Sequence, residues 1–323
     1  MKKLLCVILA LLLTLPLLTG CGFFGNNDGI RIVCTTFAQY DWIKNIIGDC
    51  DTIELSLLIQ NGSDPHSYQP TAADIMSISN CDMIVTVGGD SETWVNDAIE
   101  RSQNKELKKI ELATIEGMTL HEISSSSHSH SEHDHGHDHH DCAFDEHLWL
   151  SLNNAMTAVS ALTEEICKLD KKNAETYRKN AENYLSKLSA LDEEYKNTVE
   201  KIPEKDRFVL FADRFPFVYL LADYEIEYQA AFEGCTTDVD ATFDTVITLI
   251  KAADSHGVSC IAVTESSDKA LAKTVMTSTA KKDLKTITLN SLQRVKKKDA
   301  DNGVSYLGVM KENLSALKSA LGA

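Results

Sequence analysis

The stretch from Asn173 to Ile202, "NAETYRKNAENYLSKLSALDEEYKNTVEKI", contains neither Gly nor Pro and is closed by Pro203. Its apolar residues (Ala174, Tyr177, Ala181, Tyr184, Leu185, Leu188, Leu191, Tyr195 and Val199) recur mostly three or four apart, which is the period of an amphipathic helix. A helix of that length reaches roughly 40 Å, enough to cross the whole molecule. It holds too few heptads for a coiled-coil dimer. On either side lie short, β-branched, apolar runs. Before it come "IRIVCTTF" from 30, "IELSLLI" from 53, "DMIVTVGG" from 82 and "KKIEL" from 108. After it come "RFVLFA" from 207, "EIEYQAAF" from 225, "SCIAVTE" from 259 and "KTITL" from 285. Amphipathic stretches follow most of these runs, so the chain reads as two α/β lobes with mainly parallel sheets, joined by one long interlobe helix. The expected division is an N-terminal lobe over 30–169, a linking helix over 170–202 and a C-terminal lobe over 203–323. The closing "KENLSALKSAL" reads as a further helix on the second lobe.

Lys2 and Lys3 precede an apolar run from Leu4 to Leu18, which ends in Leu-Thr-Gly-Cys21. The run is short for a spanning helix and continues into polar chain, so residues 1–20 read as a cleaved signal peptide. Its last four residues resemble a bacterial lipobox, which makes Cys21 the lipidated first residue and 21–29 a tether. The expected location is extracytoplasmic, anchored to the cell membrane by lipid alone. A formal charge of −17 argues against nucleic acid and against a basic membrane-surface binder. After Cys21 come Cys34, Cys50, Cys81, Cys142, Cys167, Cys235 and Cys260, widely spaced and with no C-x-x-C pair. That pattern supports neither a zinc ribbon nor a redox motif. Cys34 and Cys260 lie in strand-like runs and read as buried thiols.

Seven histidines crowd into "SSSSHSHSEHDHGHDHHD", residues 124 to 141: His128, His130, His133, His135, His137, His139 and His140. The run is internal and mixed, unlike a cloning tag. Its polarity and low complexity mark a solvated loop over 121–142. Such a loop loses entropy on ordering, so it is expected to hold metal weakly and to serve as an accessory. Four histidines stand outside the run. His66 follows a strand-like run in a Gly/Ser/Asp/Pro turn, where loops of open α/β sheets line the ligand crevice. His147 sits in "DEHLWLS" just beyond the run, and the residues alone leave both histidines open between ligand and solvated turn. His256, before Gly257, reads as a helix end, and His121 as part of the loop.

Taken together, "GSDPHSYQPTAADI", "DEHLWLS" after a His/Asp loop, and "YLGVMKENLSAL" resemble one family. This is the cluster A-I solute-binding proteins, the metal-binding lipoproteins of ABC-type zinc or manganese uptake systems. The resemblance covers essentially the whole chain after Cys21. It implies two Rossmann-like lobes holding a metal between them with three histidines and a carboxylate from separate loops. His66 matches the first position, His147 the second and Glu265 the acidic one. At "VLFADRFPF", Ala212 stands where the resemblance expects the third histidine. The candidates there are Asp213, which is favoured, Glu233, a water, or a histidine of the run. The implied cargo is Zn2+, with Mn2+ or Fe2+ as alternatives, and the implied partner is an ABC-type permease served by a monomer. Two imidazoles with carboxylates suit those ions and disfavour thiolate-loving ones. A secreted zinc hydrolase is the rival reading, but no H-E-x-x-H occurs in the chain. An adhesin role stays open. The stiff link predicts loop rearrangement and small lobe shifts more than wide hinge closure.

Overall fold

A computed structural model describes residues 29–102, 104–122, 144–233 and 241–323. The first half runs β1 (Ile30–Cys34), α1 (Phe37–Ile47), β2 (Ile53–Leu57), α2 (Ala72–Ser79), β3 (Met83–Thr86), α3 (Trp94–Glu100) and β4 (Lys108–Glu111). Two long helices follow, α4 (Leu152–Leu169) and α5 (Ala174–Val199). The second half runs β5 (Phe208–Phe215), α6 (Val218–Ala222), β6 (Glu227–Glu233), α7 (Phe243–His256), β7 (Cys260–Thr264), α8 (Ala270–Ser278), β8 (Lys285–Leu289), α9 (Lys297–Asp301) and α10 (Tyr306–Leu321). All eight strand-like runs form strands. They make two four-stranded parallel sheets, ordered β2-β1-β3-β4 and β6-β5-β7-β8. In both, the strand order reverses beside the first strand, which opens a crevice at the carboxyl ends of the strands.

Strand alternation gives each sheet two buried faces. Ile32, Cys34, Met83 and Val85 enter a central core, while Val33 and Ile84 face an outer layer with Ile78 of α2 and Val95 and Ala98 of α3. In the second sheet Val209, Phe211 and Ala262 face the central core. Leu210, Ala212, Ile261 and Val263 face α7 and α8. The central core is continuous from one sheet to the other.

The long helix lies within that core. Tyr177, Ala181, Tyr184, Leu188, Leu191, Tyr195 and Val199 form one buried stripe down its length, three or four residues apart. The first half of the stripe bonds to the first lobe. Asn180 Nδ2 donates to Ile46 O at 3.1 Å, and the Tyr184 hydroxyl to Asp41 Oδ2 at 3.3 Å. The second half bonds to the second lobe. The Tyr195 hydroxyl donates to Met310 O at 2.6 Å, and its ring stacks on Tyr224 with centroids 4.8 Å apart.

One strand departs from the sequence reading. β5 continues to Phe215, three residues past Ala212. Phe211 pairs with Ala230 but Arg214 pairs with Phe232, so β5 carries one extra residue in a bulge. Ala212 precedes the bulge and points into the outer apolar layer. Among the described cysteines Cys34, Cys50, Cys81, Cys167 and Cys260 are free thiols, and Cys142 and Cys235 lie outside the described residues. Among the described residues no helix is long and apolar enough to cross a membrane.

Asp41 shows how tightly the lobes and helix are joined. Its Oδ2 accepts the Tyr184 hydroxyl and, at 3.1 Å, the Tyr306 N–H that opens α10. Burial pushes its carboxyl up to about 6, against the opposing pull of Tyr306, Tyr184 and Lys44. The folded state therefore holds this proton more tightly than the unfolded chain. The stabilisation it gives is complete below the ordinary value of 3.8 and is lost as pH rises toward about 6. Asp41→Asn keeps an acceptor oxygen but cannot ionise. Its urea midpoint is expected to fall less than that of the wild type between about pH 4 and about pH 7, by up to roughly 3 kcal/mol in stability.

Candidate metal centre

The two site histidines rest on the same local device. In Asp64-Pro65-His66, Asp64 Oδ1 accepts the backbone N–H of His66 at 3.1 Å, and Pro65 opens a short 3-10 turn. In Asp145-Glu146-His147, Asp145 Oδ1 accepts the backbone N–H of His147 at 2.8 Å and lies 2.8 Å from its Nδ1. A 3-10 turn, Leu148–Leu150, follows. Glu146 reaches the other ring, with Oε2 3.5 Å from His66 Nδ1. The same carboxylate accepts the Ser91 N–H at 3.1 Å and the Ser91 hydroxyl. Gly89, at φ 96°, makes room for it, because a Cβ there would overlap the Glu146 carboxylate.

With each Nδ1 on a carboxylate, the Nε2 atoms turn toward each other and stand 3.1 Å apart. The rings meet edge to face, with centroids 5.0 Å apart. A tetrahedral ion with Zn–N bonds of about 2.0–2.1 Å holds two nitrogens about 3.3 Å apart, so the pair is set at ligating separation. Carboxylates on the far nitrogens fix the tautomer and raise the basicity of the ligating ones. His147 is 2% exposed and His66 slightly more open. Burial opposes charging of His66, but Glu146, Asp64 and Asp145 outweigh it and raise its pKa above 6.5. Burial likewise disfavours the charged forms of Asp145 and Glu146. His147 lowers the first and His66 and Ser91 the second, leaving both below the ordinary carboxylate range.

A third group closes the point. Gln293 Nε2 lies 3.2 Å from His66 Nε2 and also contacts His147 Nε2, so the amide sits over both ring nitrogens. Behind it, Gln293 Oε1 faces the Ser291 hydroxyl at 3.3 Å, and that hydroxyl donates to Glu265 Oε1 at 2.7 Å. The cavity here is about 30 Å³, room for one ion or one water, and its lining includes Asp64, Arg214, Thr264, Ser266 and Arg294. Arg214 Nη1 and Arg294 Nη2 reach one oxygen, Asp64 Oδ2, at 3.3 and 3.4 Å. A much larger groove of about 900 Å³ lies elsewhere, between α1, α5 and the start of α10, with mixed Asp, Lys and Asn lining. It contains neither site histidine.

Of the four residues expected to bind metal, His66 and His147 meet. Asp213 and Glu265 lie one hydrogen bond back from the cavity. Asp213 Oδ2 accepts the Thr264 N–H at 2.9 Å and the Thr264 hydroxyl at 2.8 Å, tying the ends of β5 and β7. Glu265 Oε2 accepts the Ser291 N–H at 2.9 Å. Among the described residues no three His, Cys, Asp or Glu side chains form a group able to hold a metal. The β5 residue that reaches the cavity is Arg214, two positions beyond Ala212. The Glu233 side chain, Cys21 and the accessory histidines 128, 130, 133, 135, 137, 139 and 140 lie outside what is described. His121 packs edge-on against Tyr219, and His256 stacks on Phe208 at a helix end capped by Gly257. Sequence reasoning missed Gln293, Arg214 and Arg294. The repeated Asp-x-His of 64–66 and 145–147 was a visible signal for the orienting aspartates.

Residues 32–320 match the family described as zinc-uptake complex component A periplasmic, ZnuA. The chain belongs to that family. It is 34% identical over 296 residues to the high-affinity zinc uptake system protein ZnuA of Bacillus subtilis, covering 92% of this chain and 89% of that protein. It is 31% identical over 304 residues to the zinc-binding lipoprotein AdcA of Streptococcus pneumoniae, covering 93% of this chain but 58% of the longer relative. The crystal structure of the Zn(II)-bound ZnuA-like domain of that AdcA superposes with TM-score 0.71 at 27% identity, covering 91% of this chain and all, 100%, of that one. The two-lobe α/β fold is thus the ZnuA-like fold.

The carboxylates behind the imidazoles give a direct test. Glu146→Gln is expected to weaken metal binding about 10- to 100-fold. Gly89→Ala, which displaces the same carboxylate without touching a histidine, is expected to do likewise, as measured by chelator competition.

Proposed function

We propose that this protein captures a divalent metal ion, zinc first, and delivers it to an ABC-type membrane permease from outside the cytoplasm. The observation that carries this reading is the pair of Nε2 atoms at 3.1 Å, each ring held from behind by a carboxylate. His66 and His147 are the nitrogen ligands. Gln293 is the third: a half-turn of its amide puts Oε1 on the metal and lets Nε2 donate to Ser291, whose hydroxyl already donates to Glu265. Glu265 thus acts through Ser291, and Asp213 through the β5–β7 junction. Zinc names in the relatives, ZnuA of Bacillus subtilis and AdcA of Streptococcus pneumoniae, support the choice of metal. Oxygen from Gln293 in place of a third imidazole keeps manganese and iron(II) within the range of the site.

The remaining parts fit a tethered carrier. Residues 1–20 are a leader, Cys21 the lipidated anchor and 21–29 a tether. Lobes over 30–169 and 203–323 are joined through 170–202. The histidine run is an accessory that gathers metal weakly. Its base is tied beside the site, since the Asp145 N–H donates to His121 O at 2.8 Å.

Titration of the metal-free protein with zinc and with manganese, each against a competing chelator, tests the reading. One tight zinc site that survives deletion of residues 124–141 and is lost in His66→Ala is the expected result. Binding that vanishes with the loop alone would sink it. Because Glu146, Asp64 and Asp145 hold a proton on His66 above pH 6.5, that proton competes with the metal. Affinity is therefore expected to weaken as pH falls through this range, with proton release on binding detectable as a buffer-dependent calorimetric heat.

A further inference from the structure

We propose that Glu92 is a positioning residue of the metal centre: buried in the first lobe, it shapes the turn after β3 that holds Glu146 behind His66. This rests on the metal-binding reading above.

The turn leaves β3 at Val87 and passes through a short 3-10 helix, Asp90–Glu92, into α3. It contains Gly88 and Gly89, at φ 93° and 96°. Two glycines bring no side chains to fix such a path, so it is set by what the backbone bonds to. Glu92 supplies that bond. One oxygen, Oε2, accepts the Val87 N–H at 2.6 Å and the Gly88 N–H at 3.0 Å. Glu92 is 5% exposed, and Val87 and Gly88 are buried beside it. Removing that oxygen leaves two buried N–H groups without their acceptor, which is costly. The other side of the same turn meets Glu146. Ser91 gives it an N–H at 3.1 Å and a hydroxyl, and Gly89 leaves room for the carboxylate. Glu146 in turn stands 3.5 Å from His66 Nδ1. Burial pushes the Glu92 carboxyl up to about 7 and Glu146 adds to the rise, while Thr35, Gly88 and Val87 pull it down. Protonated or ionised, it keeps an oxygen able to accept both N–H groups, so the brace works in either form. His147 is an internal control, because its carboxylate has a different anchor. The Asp145 N–H donates to His121 O at 2.8 Å, and the Asp145 carbonyl accepts the Tyr219 hydroxyl at 2.6 Å.

Zinc affinity of the full chain is measured by chelator competition, and the tautomers of both imidazoles in the metal-free protein by nitrogen NMR at alkaline pH. Glu92→Leu is expected to weaken zinc about 10- to 100-fold, the usual loss for a group behind a ligand. It is also expected to mix the tautomers of His66 while leaving those of His147. Glu92→Gln keeps the acceptor and is expected to recover most of both. In a Glu146→Gln background Glu92→Leu is expected to add little, because both changes act along one path. Glu92→Asp, which draws the carboxylate back by one methylene, reads the same effect if Glu92→Leu does not fold, with a smaller loss expected. Wild-type affinity in whichever of these two variants folds, with zinc still lost in His66→Ala, overturns this inference and leaves the metal site standing. Losses that add in the Glu146→Gln background, or that disturb both imidazoles alike, also overturn it and assign Glu92 to the stability of the lobe. A Glu92→Gln variant as weak as Glu92→Leu overturns the bracing role as well. Zinc binding that ignores His66→Ala overturns both readings.

Discussion

The stripe from Tyr177 to Val199 on α5 fixes the distance between the two sheets, and the metal centre inherits that distance. A helix is stiff along its axis, and this one is bonded to the first lobe by Asn180 and Tyr184 and to the second by Tyr195. The core it shares with both sheets is continuous, so the lobes cannot swing apart without exposing packed apolar surface. Side chains from loops as distant in sequence as His66 and Gln293 therefore converge on a cavity of about 30 Å³.

That division explains what could be read from the sequence. Strand and helix identity are written in local periodicity, and all eight runs and the long helix were legible. His66 and His147 were expected at one point from the resemblance, and the fold brings their rings together. Arg214, the residue that β5 brings to the cavity, was not legible in the sequence. Assigning it needed the face of β5 beyond Ala212, and the bulge between Phe211 and Arg214 changes that face in a way that alternation alone cannot foresee. Gln293 had even less signal, since a glutamine in a loop after the last strand looks like any polar residue. It matters only because β8 is the edge of the second sheet and carries that loop back to the crevice. Glu265 and Asp213 lie at the expected strand ends, where their oxygens accept backbone and hydroxyl donors.

The protein's handling of charge around the two imidazoles follows from burial. His147 and its partner Asp145 are almost wholly buried, where a lone pair without a donor or a carboxylate without a partner is expensive. In the arrangement seen here every ring nitrogen is answered: Asp145 and Glu146 take the Nδ1 side, and the Gln293 amide takes both Nε2 atoms. An amide is well suited to this double task, because its two ends exchange donor for acceptor by rotation about one bond.

A carrier must bind its ion and also give it up, and the same amide bears on both. A carboxylate in place of Gln293 would hold a divalent ion more strongly, but in the empty state it would face two lone pairs with no hydrogen to offer. In the proposed ligand set the amide would bind the ion less strongly and return to its contacts with both ring nitrogens, which narrows the free-energy gap between loaded and empty protein. Behind it the Ser291 hydroxyl donates to Glu265 and faces Gln293 Oε1. With the proposed ligands, release needs a competing set of ligands, or a proton on His66, to displace two imidazoles and a neutral oxygen.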